Sequence, residues 1–331
     1  MGKMARERTL RIVGGGPAGS AAAIAARDNG ASVHIAERHR GPRHKVCGEF
    51  IAGESAEILE SLGVWQSFRL RGPACIRRCV LRFGSLEKTW RLSDTSYGLS
   101  RLALDRLLIE RAIESGAEVA RGEIDAAECA AGPAILAAGR HAPRAHGERL
   151  FGFKAHFAGP TDDAVELYFA RPTYVGVSSV EDGLTNVCGL TTESALRCFG
   201  FDFDEFVMSM PALAVRLGPL ARQMKWIAAG PLAFSKPHGA DAEGVYPAGD
   251  ALGFTDPFTG SGILNALATG RLAGESAARG MPVAVYRREC RRLLGRAFTV
   301  SSLFRRLLRY DFMPTLAALV PGDWLYRLTR V

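Results

Sequence analysis

The chain has 331 residues, a length that favours two domains, and its 47% hydrophobic and 23% charged residues exclude disordered and fibrous proteins. The formal net charge of +8 favours anionic partners without naming one. The seven cysteines include no C-x-x-C pair, which argues against a disulfide framework and a zinc ribbon. We therefore expect a cytoplasmic protein.

The N-terminal residues show a β-α-β pattern. A β-rich run over 9–13 precedes a glycine turn over 14–19 and an alanine-rich helix over 17–29. A second strand over 32–36 then ends at Glu37. Such a unit predicts two neighbouring parallel strands joined by a helix.

Two patterns alternate along the rest of the chain. The spacing predicts a half-buried strand pair over 77–92, a helix over 101–115 after the capping residue Ser100, and strands over 117–120 and 133–139. Strand-like runs without helices between 150 and 190 predict an antiparallel sheet. A strand over 245–248 and a helix over 262–279 return to the first pattern.

We therefore predict an α/β fold built from three parts. A discontinuous Rossmann-like domain with a parallel sheet covers 9–72, 97–147 and 240–285. An antiparallel β-sheet substrate domain covers the interleaved ranges 73–96 and 148–239. A basic helical tail covers 286–331, with ten arginines against three acidic residues.

The turn over 14–19 has the G-x-G-x-x-G spacing of a dinucleotide-binding turn. A side chain at Gly14 would block the tight turn, one at Gly16 would keep the pyrophosphate away, and one at Gly19 would separate helix from strand. The helix N-terminus offers free N–H groups to phosphates. Glu37, at the end of the second strand, can accept hydrogen bonds from a ribose.

Three segments resemble the FAD landmarks of a superfamily that contains class A flavin monooxygenases (aromatic hydroxylases), geranylgeranyl reductases and flavin-dependent halogenases. They are the N-terminal unit, the run RLALD over 101–105, and Gly249-Asp250 followed by DPFTGSG over 256–262. The resemblance implies a GR2-type FAD-binding domain. It also implies that Arg101 approaches the pyrophosphate, Asp250 bonds the ribityl hydroxyls, and the loop over 257–262 lies beside the flavin ring.

The residues give independent support to this assignment. Asp250 ends a strand, where ligands gather in open α/β sheets. Gly260 and Gly262 open a helix whose N–H groups would favour an anionic reduced flavin. The residues predicted to bind FAD are Gly14, Gly16, Pro17, Ala18, Gly19, Glu37, Arg38, Cys47, Gly48, Arg101, Gly139, Asp250, Pro257, Gly260, Ser261 and Gly262.

The loop Lys45-Val46-Cys47-Gly48 resembles the K-x-C-G stretch that passes over flavin and substrate in reductases and related oxygenases. Lys45 and Cys47 are accordingly the candidate catalytic residues, with a buried structural thiol as the alternative for Cys47. The small hydrophobic substrate would lie under the β-rich insertion, which excludes water from the ring.

Two reactions stay open on this cofactor, oxygen transfer through a flavin C4a-hydroperoxide and hydride transfer from N5 to a C=C bond. We favour the monooxygenase. The chain lacks the halogenase motif W-x-W-x-I-P and has Gly260 where the halogenase loop carries serine, and it lacks the prenyl reductase motif Y-x-W-x-F-P. Hydroxylases carry an Asp-Gly pair where this chain has Ala137-Ala138-Gly139-Arg140, and the aspartate is missing here. We expect the electrons to come from NAD(P)H, directly or through a partner flavin reductase.

Other classes fit less well. A flavin-binding electron carrier would not need the β-rich insertion, and the basic tail lacks the interleaved aromatic residues of a nucleic-acid platform. The histidines form no metal motif, so we predict no metal. For the tail we favour a solvated helix face, with contact to a membrane surface or a carrier protein as the alternative.

Overall fold

A computed structural model describes residues 8–122, 133–140, 149–232, 244–254, 259–307 and 322 of the chain. Two sheets dominate it, as predicted. The strands are β1 (Thr9–Val13), β2 (Ser32–Glu37), β3 (Phe50–Ile51), β4 (Ala74–Phe83), β5 (Leu86–Gly98), β6 (Glu118–Arg121), β7 (Ala134–Leu136), β8 (Leu150–Ala158), β9 (Ala164–Ala170), β10 (Thr173–Ser179), β11 (Leu184–Thr192), β12 (Ala221–Arg222), β13 (Ile227–Leu232) and β14 (Val245–Pro247). The helices are α1 (Pro17–Asp28), α2 (Ser55–Ser61), α3 (Trp65–Leu70), α4 (Arg101–Glu114), α5 (Glu193–Arg197), α6 (Phe203–Met208), α7 (Pro211–Leu217), α8 (Gly262–Ala278) and α9 (Val283–Leu307).

The first sheet has five parallel strands in the order β14-β7-β1-β2-β6. Its central strand β1 buries Leu10 and Ile12 completely on one face, while Thr9 and Arg11 on the other face are exposed. Helix α4 begins where the sequence predicted, with the Ser100 side chain accepting a hydrogen bond from the Ala103 amide at 3.1 Å. The predicted Rossmann-like architecture is confirmed.

Helices α1 and α8 pack so closely that their backbones touch. A Cβ at Gly270 would lie 2.2 Å from the Ala18 carbonyl oxygen, and one at Gly274 would lie 2.2 Å from that of Ala22. Only glycine permits this approach, since real side-chain carbons never come that near to a backbone oxygen. The close packing fixes the middle of α8 against the first two turns of α1.

The second sheet has nine strands, with the path β12-β8-β11-β10-β9-β4-β5-β3 and β13 paired to β8. The prediction of an antiparallel sheet was wrong in one respect, because β4 pairs with β9 in parallel from Arg78 to Phe83. The sheet is therefore mixed. The hairpin β4–β5 precedes β8 to β11 in the chain. It joins these later antiparallel strands at their β9 edge, where β4 runs parallel to β9.

One face of this sheet is covered by α5, α6 and α7. Phe153, Val175 and Val187 point to these helices and form a fully buried core with Phe206 and Leu213. The opposite face, offset by one residue along each strand, looks towards the first sheet. Strand β3 and its partners Tyr97 and Gly98 lie in the predicted ranges 9–72 and 97–147, yet both strands belong to the second sheet, so the ranges of the first domain also contribute to this sheet.

Helix α9 extends the chain away from β14 and begins three residues before the predicted tail. Its first turns are anchored by Tyr286, whose hydroxyl donates to the Pro247 carbonyl at 2.6 Å. Most of the tail after 307 lies outside the described residues. Within the part of the chain that is described, no helix has the length and apolar character needed to cross a bilayer.

Candidate active site

The glycine turn between β1 and α1 has the geometry that each glycine predicts. Gly14 has a φ of +101°, and a Cβ there would lie 2.4 Å from the Ala137 carbonyl oxygen. A Cβ at Gly19 would lie 1.8 Å from the Gly14 carbonyl oxygen. At Gly16 the nearest atoms to a Cβ are side-chain nitrogens, Arg101 Nη2 at 3.8 Å and Lys45 Nζ at 4.0 Å. The turn is tight on the protein side and open on the side where a phosphate would lie.

Glu37 stands beside this turn at the end of β2. One carboxylate oxygen accepts the Gly15 amide at 2.7 Å, and the other accepts the His39 amide at 2.9 Å. These two bonds hold the carboxylate at the rim of the groove, while its remaining lone pairs stay available to hydroxyl donors. Arg38 follows it as an exposed residue at the same rim.

A compact charged cluster faces Gly16. Arg101 forms two hydrogen bonds to Asp105, at 2.8 and 3.0 Å, and Lys45 Nζ lies 2.8 Å from the same carboxylate. Burial alone would lower the pKa of Arg101, but the Asp105 carboxylate outweighs it and raises that pKa. Burial likewise opposes ionisation of Asp105, yet Arg101 and Lys45 bring its pKa below the ordinary value. Arg101 and Lys45 carry two positive charges and Asp105 carries one negative charge, so the cluster has a net positive charge beside the glycine turn.

The charged cluster contains two residues that the sequence analysis singled out, Arg101 and Lys45. Arg101 lies where a pyrophosphate would approach Gly16, and it also forms the i,i+4 helix pair with Asp105. Lys45, a candidate catalytic residue, stands in the same cluster. A lysine beside the phosphate turn is suited to binding an anion, so the geometry favours a cofactor-binding role for it.

Cys47 lies on the cavity wall, two residues further along the loop. Its sulfur accepts the Glu49 amide at 3.4 Å and lies near the Arg101 guanidinium. Asn186 on β11 donates to the Cys47 carbonyl at 3.1 Å, which ties the loop to the second sheet. The Cys188 thiol lies close by, and burial raises its pKa. Cys47 thus contacts Arg101 of α4 through its sulfur and Asn186 of the second sheet through its carbonyl.

Glu49 is a functional candidate that the sequence did not reveal. It is completely buried, with a φ of +54°, and its carboxylate meets Lys154 Nζ and, at 2.6 Å, His156 Nε2. It also accepts the Arg101 backbone amide at 2.6 Å. Burial would raise the pKa of Glu49, but His156 and Lys154 lower it below the ordinary value. The carboxylate is therefore ionised at neutral pH.

His44 completes this network from the cavity side. Its ring packs edge-on against the His156 ring with centroids 5.2 Å apart. Burial, followed by the charges of Lys154 and His156, lowers the pKa of His44, so the imidazole is neutral at neutral pH. Ligand atoms of His44, Glu49 and His156 come within 4.8 Å of one another, as metal ligands would. The Lys154 ammonium already pairs with Glu49, and its charge disfavours a second cation there.

The remaining predicted residues gather at the other end of the cavity. Asp250 follows β14, and loss of solvent raises its pKa while Arg140 and Arg101 oppose the rise. Gly260, with a φ of +65°, packs on Phe50, and a Cβ at Gly262 would meet nothing within 4 Å. Ser261 is buried, and its hydroxyl lies 2.8 Å from that of Thr259. Pro257 lies outside the described residues.

One cavity of about 1220 Å³ joins these pieces. It runs from the glycine turn past the loop over 44–49 to the inner face of the second sheet. The predicted residues on its wall are Gly14, Gly16, Pro17, Ala18, Glu37, Arg38, Lys45, Cys47, Gly48, Arg101, Gly139, Asp250, Gly260 and Gly262. The end of the cavity farthest from the glycine turn is called the apolar arm here. Its lining residues include Leu81, Trp90, Leu167 and Phe169.

The donors along this cavity fit FAD. The open face of Gly16 and the cations of Arg101 and Lys45 suit a pyrophosphate, and the carboxylates of Glu37 and Asp250 suit ribose and ribityl hydroxyls. The start of α8 at Gly262 opens into the cavity and presents its free N–H groups there. Phosphate, sugar and ring sites therefore follow one another along a single groove.

Comparison with known proteins agrees with this fit. Residues 7–127 match the family model of an FAD binding domain. Digeranylgeranylglycerophospholipid reductase 1 of Methanopyrus kandleri is 39% identical over 114 residues, which are 33% of this chain and 28% of that protein. The match thus spans less than a third of the curated relative's length.

Solved structures resemble nearly the whole chain. A triple mutant of the flavin-dependent brominase Bmp2 has a TM-score of 0.81 at 20% identity, covering 97% of this chain and 93% of that chain. A geranylgeranyl bacteriochlorophyll reductase-like protein from Thermoplasma acidophilum has a TM-score of 0.69 at 18% identity, covering 98% and 92%. At such identities the likeness establishes the fold.

Residues 7–127 thus match an FAD binding domain, and the solved structures share the fold of nearly the whole chain. Both findings agree with the resemblance that the three sequence segments indicated and support FAD as the cofactor. Brominase and reductase share the fold, so the reaction must be argued from the residues of the cavity.

Proposed function

We propose that this chain is an FAD-dependent monooxygenase that hydroxylates or epoxidises a small hydrophobic, aromatic molecule. The observation that carries the proposal is the single cavity, in which the dinucleotide groove opens directly into an apolar arm. A ring-shaped substrate in that arm would lie next to the flavin.

Bound and reduced, FAD supplies the electrons that activate O₂. The chain supplies binding and exclusion of water. Arg101 and Lys45 would hold the pyrophosphate, Glu37 the adenosine ribose and Asp250 the ribityl chain. The second sheet would cover the ring and keep solvent from the reacting atoms, a condition that oxygen transfer requires.

The protonation states near Cys47 favour oxygenation. His44 lines the cavity, and its imidazole, neutral at neutral pH because its pKa is lowered, can accept a hydrogen bond there. A hydroxylated ring that shares its proton with such an acceptor becomes more electron-rich and therefore more reactive towards electrophilic oxygen. Saturation of a C=C bond instead needs a proton donor at the site.

A C=C reductase is the second candidate, and two observations favour it. The Cys47 thiol lies on the cavity wall in the K-x-C-G segment, where it could donate a proton. The curated relative that matches 114 residues is named a reductase. Halogenation has less support, because Gly260 has a φ of +65° at the serine position of the halogenase loop and a serine there would be strained.

We further propose that the electrons come from NAD(P)H, either directly or through a partner flavin reductase. The stretch over 137–140 lacks the aspartate of hydroxylases, and its Arg140 side chain lies over the Phe254 ring at 4.8 Å and 3.9 Å from Asp250. The absence of that aspartate favours the indirect route.

The test is the fate of the electrons in the reduced holoprotein. We expect reduced protein mixed with para-hexylphenol and isotopically heavy O₂ to give a product that has gained one heavy oxygen atom. The matching experiment without O₂ uses para-hydroxybenzylideneacetone, whose C=C bond is polarised. Flavin reoxidation by this enone, with two hydrogens added to it and no oxygen gained by the phenol, would establish the reductase instead.

A further inference from the structure

The inner face of the second sheet changes from polar to apolar across its strands. One row of directly paired residues runs through β8, β11, β10, β9 and β4 as Lys154, Cys188, Gly176, Leu167 and Leu81. Directly paired residues share one face of a sheet. Four of the five line the cavity, and the fifth, Lys154, is fixed by Glu49 behind its wall.

The neighbouring row repeats the same order. It runs through His156, Asn186, Ser178, Val165 and Cys79 on the same five strands. Charged and amide groups thus stand at β8 and β11, a small hydroxyl stands at β10, and apolar groups stand at β9 and β4. In this second row Ser178, Val165 and Cys79 line the cavity, whereas His156 and Asn186 lie behind its wall. A ligand lying along the two rows therefore meets the small groups of Cys188 and Ser178 at one end and larger apolar groups at the other.

The polar end holds two buried atoms that have no hydrogen-bond partner among the described residues. They are Asn186 Oδ1, on a side chain 1% exposed, and His44 Nδ1. A buried polar atom left unpaired costs free energy, so such atoms in a native site indicate a missing partner. Both can accept a hydrogen bond, and a hydroxyl group can donate one. The polar end is therefore suited to a hydroxylated ligand.

The path between the two ends is kept open at Gly176. A Cβ at this position would meet no atom nearer than 3.4 Å, the Leu167 Cδ2, so the protein itself does not require glycine there. Any larger side chain at position 176 would occupy the cavity between Cys188 and Leu167. The missing side chain leaves room for a ligand to cross β10.

We propose that the cavity takes an amphiphilic substrate, a hydroxylated ring that carries a long apolar chain. The hydroxyl lies at His44, which lines the cavity, and the apolar chain passes Gly176 to lie against Leu167 and Leu81. This inference rests on the proposed function for its ring chemistry, but the binding mode can be measured without turnover.

The test is a binding series with the oxidised holoprotein. The probes are para-ethylphenol, para-hexylphenol and para-nonylphenol, with nonylbenzene as the probe that lacks the hydroxyl. Dissociation constants come from calorimetry and from the change in flavin absorbance. We expect affinity to rise about fourfold for each added methylene from ethyl to hexyl, as burial of that group in an apolar arm predicts. Nonylbenzene should bind about tenfold more weakly than para-nonylphenol.

Variants at the cavity wall test whether the alkyl chain of the probe lies in the apolar arm. In Leu167→Trp the added indole fills the arm, so para-nonylphenol should lose its advantage while para-ethylphenol binds as before. Val215→Trp adds the same group on α7 at a position that is 81% exposed, and it should leave all affinities unchanged. Gly176→Leu, which blocks the path at β10, should act like Leu167→Trp and serves if that variant fails to fold.

Affinity that does not depend on chain length in the unaltered protein would overturn the inference, and so would equal binding of nonylbenzene and para-nonylphenol. These outcomes are independent of the oxygen-incorporation test. Length-dependent binding without oxygen gain would refute the monooxygenase and keep the amphiphile. Oxygen gain with no length dependence would do the reverse.

Discussion

The buried ion pair of Glu49 and Lys154 shows how much a few residues can determine at this site. Both side chains are fully buried, and Glu49 has a left-handed backbone that favours glycine. Burial of charge and backbone strain both cost free energy, so the pair is held in place by the surrounding structure. It joins the loop that carries Cys47 to the strand that covers the cavity.

Removing the charge of Glu49 should therefore destabilise the protein strongly. Glu49→Gln keeps the shape but leaves the Lys154 ammonium buried without a counterion, and we expect a loss of about 3–5 kcal/mol in the free energy of unfolding. The measurement is urea unfolding followed by tryptophan fluorescence. Glu114→Gln removes an exposed partner of Arg111 as the control and should cost about 0–1 kcal/mol. Equal losses in both variants would mean that Glu49 is not a buried charge partner.

His44 makes the free energy of unfolding depend on pH below about pH 6.5. Its pKa in the folded protein lies below the ordinary value of 6.5, so the unfolded chain binds a proton first as the pH falls. The stability contribution is complete above about pH 6.5 and is lost below it. We expect the urea midpoint to fall as the pH drops from about 7.5 to 5.5, and His44→Gln to flatten this fall. The fall that persists at lower pH belongs to Glu49 and Asp105, whose depressed pKa values have the same sign. An unchanged slope in the variant would contradict the assignment.

At the scale of elements, the sequence predicted what local periodicity can determine. The β-α-β unit, α4 after Ser100 and α8 after the glycine pair all form where their patterns indicate. The parallel pairing of β4 with β9 could not be predicted, because register between distant strands follows from packing and leaves no local signal. Likewise Glu49 and Lys154 are 105 positions apart, and only the folded sheet brings them together.

The contact of α1 with α8 depends on two glycines that a local pattern marks only as poor helix formers. Gly274→Val would place side-chain atoms against the Ala22 carbonyl, and the helices would have to separate. We expect a loss of about 1–3 kcal/mol in the free energy of unfolding and weaker FAD binding, measured by urea titration and flavin fluorescence. Gly295→Val in α9 is the matched control, because a Cβ there meets nothing within 4 Å and valine is the better helix former. If the control loses as much, helix contact is not the cause.

At the scale of the whole molecule, the two sheets share one ligand cavity and one buried charge network. The Glu49 carboxylate accepts the amide of Arg101, at the start of α4, and meets Lys154 and His156 on β8. FAD bound at the proposed site beside Gly16 and Arg101 would therefore act on a residue that the buried network links to the second sheet. A ligand that binds only the folded state lowers the population of every locally opened state that exposes its site, and hydrogen exchange through those states becomes slower.

We expect FAD at about a thousandfold excess over its dissociation constant to add about 4 kcal/mol to the free energy of unfolding. In hydrogen exchange, protection should rise at the glycine turn over 14–19 and also at β8, which is linked through Glu49 to the start of α4. In Glu49→Gln the turn should still gain protection from FAD, whereas β8 should gain much less. The strand β9 carries no residue of the charge network and serves as the internal control. Protection of β8 that is the same in both proteins would show that the covering sheet responds to FAD by a route other than the buried pair.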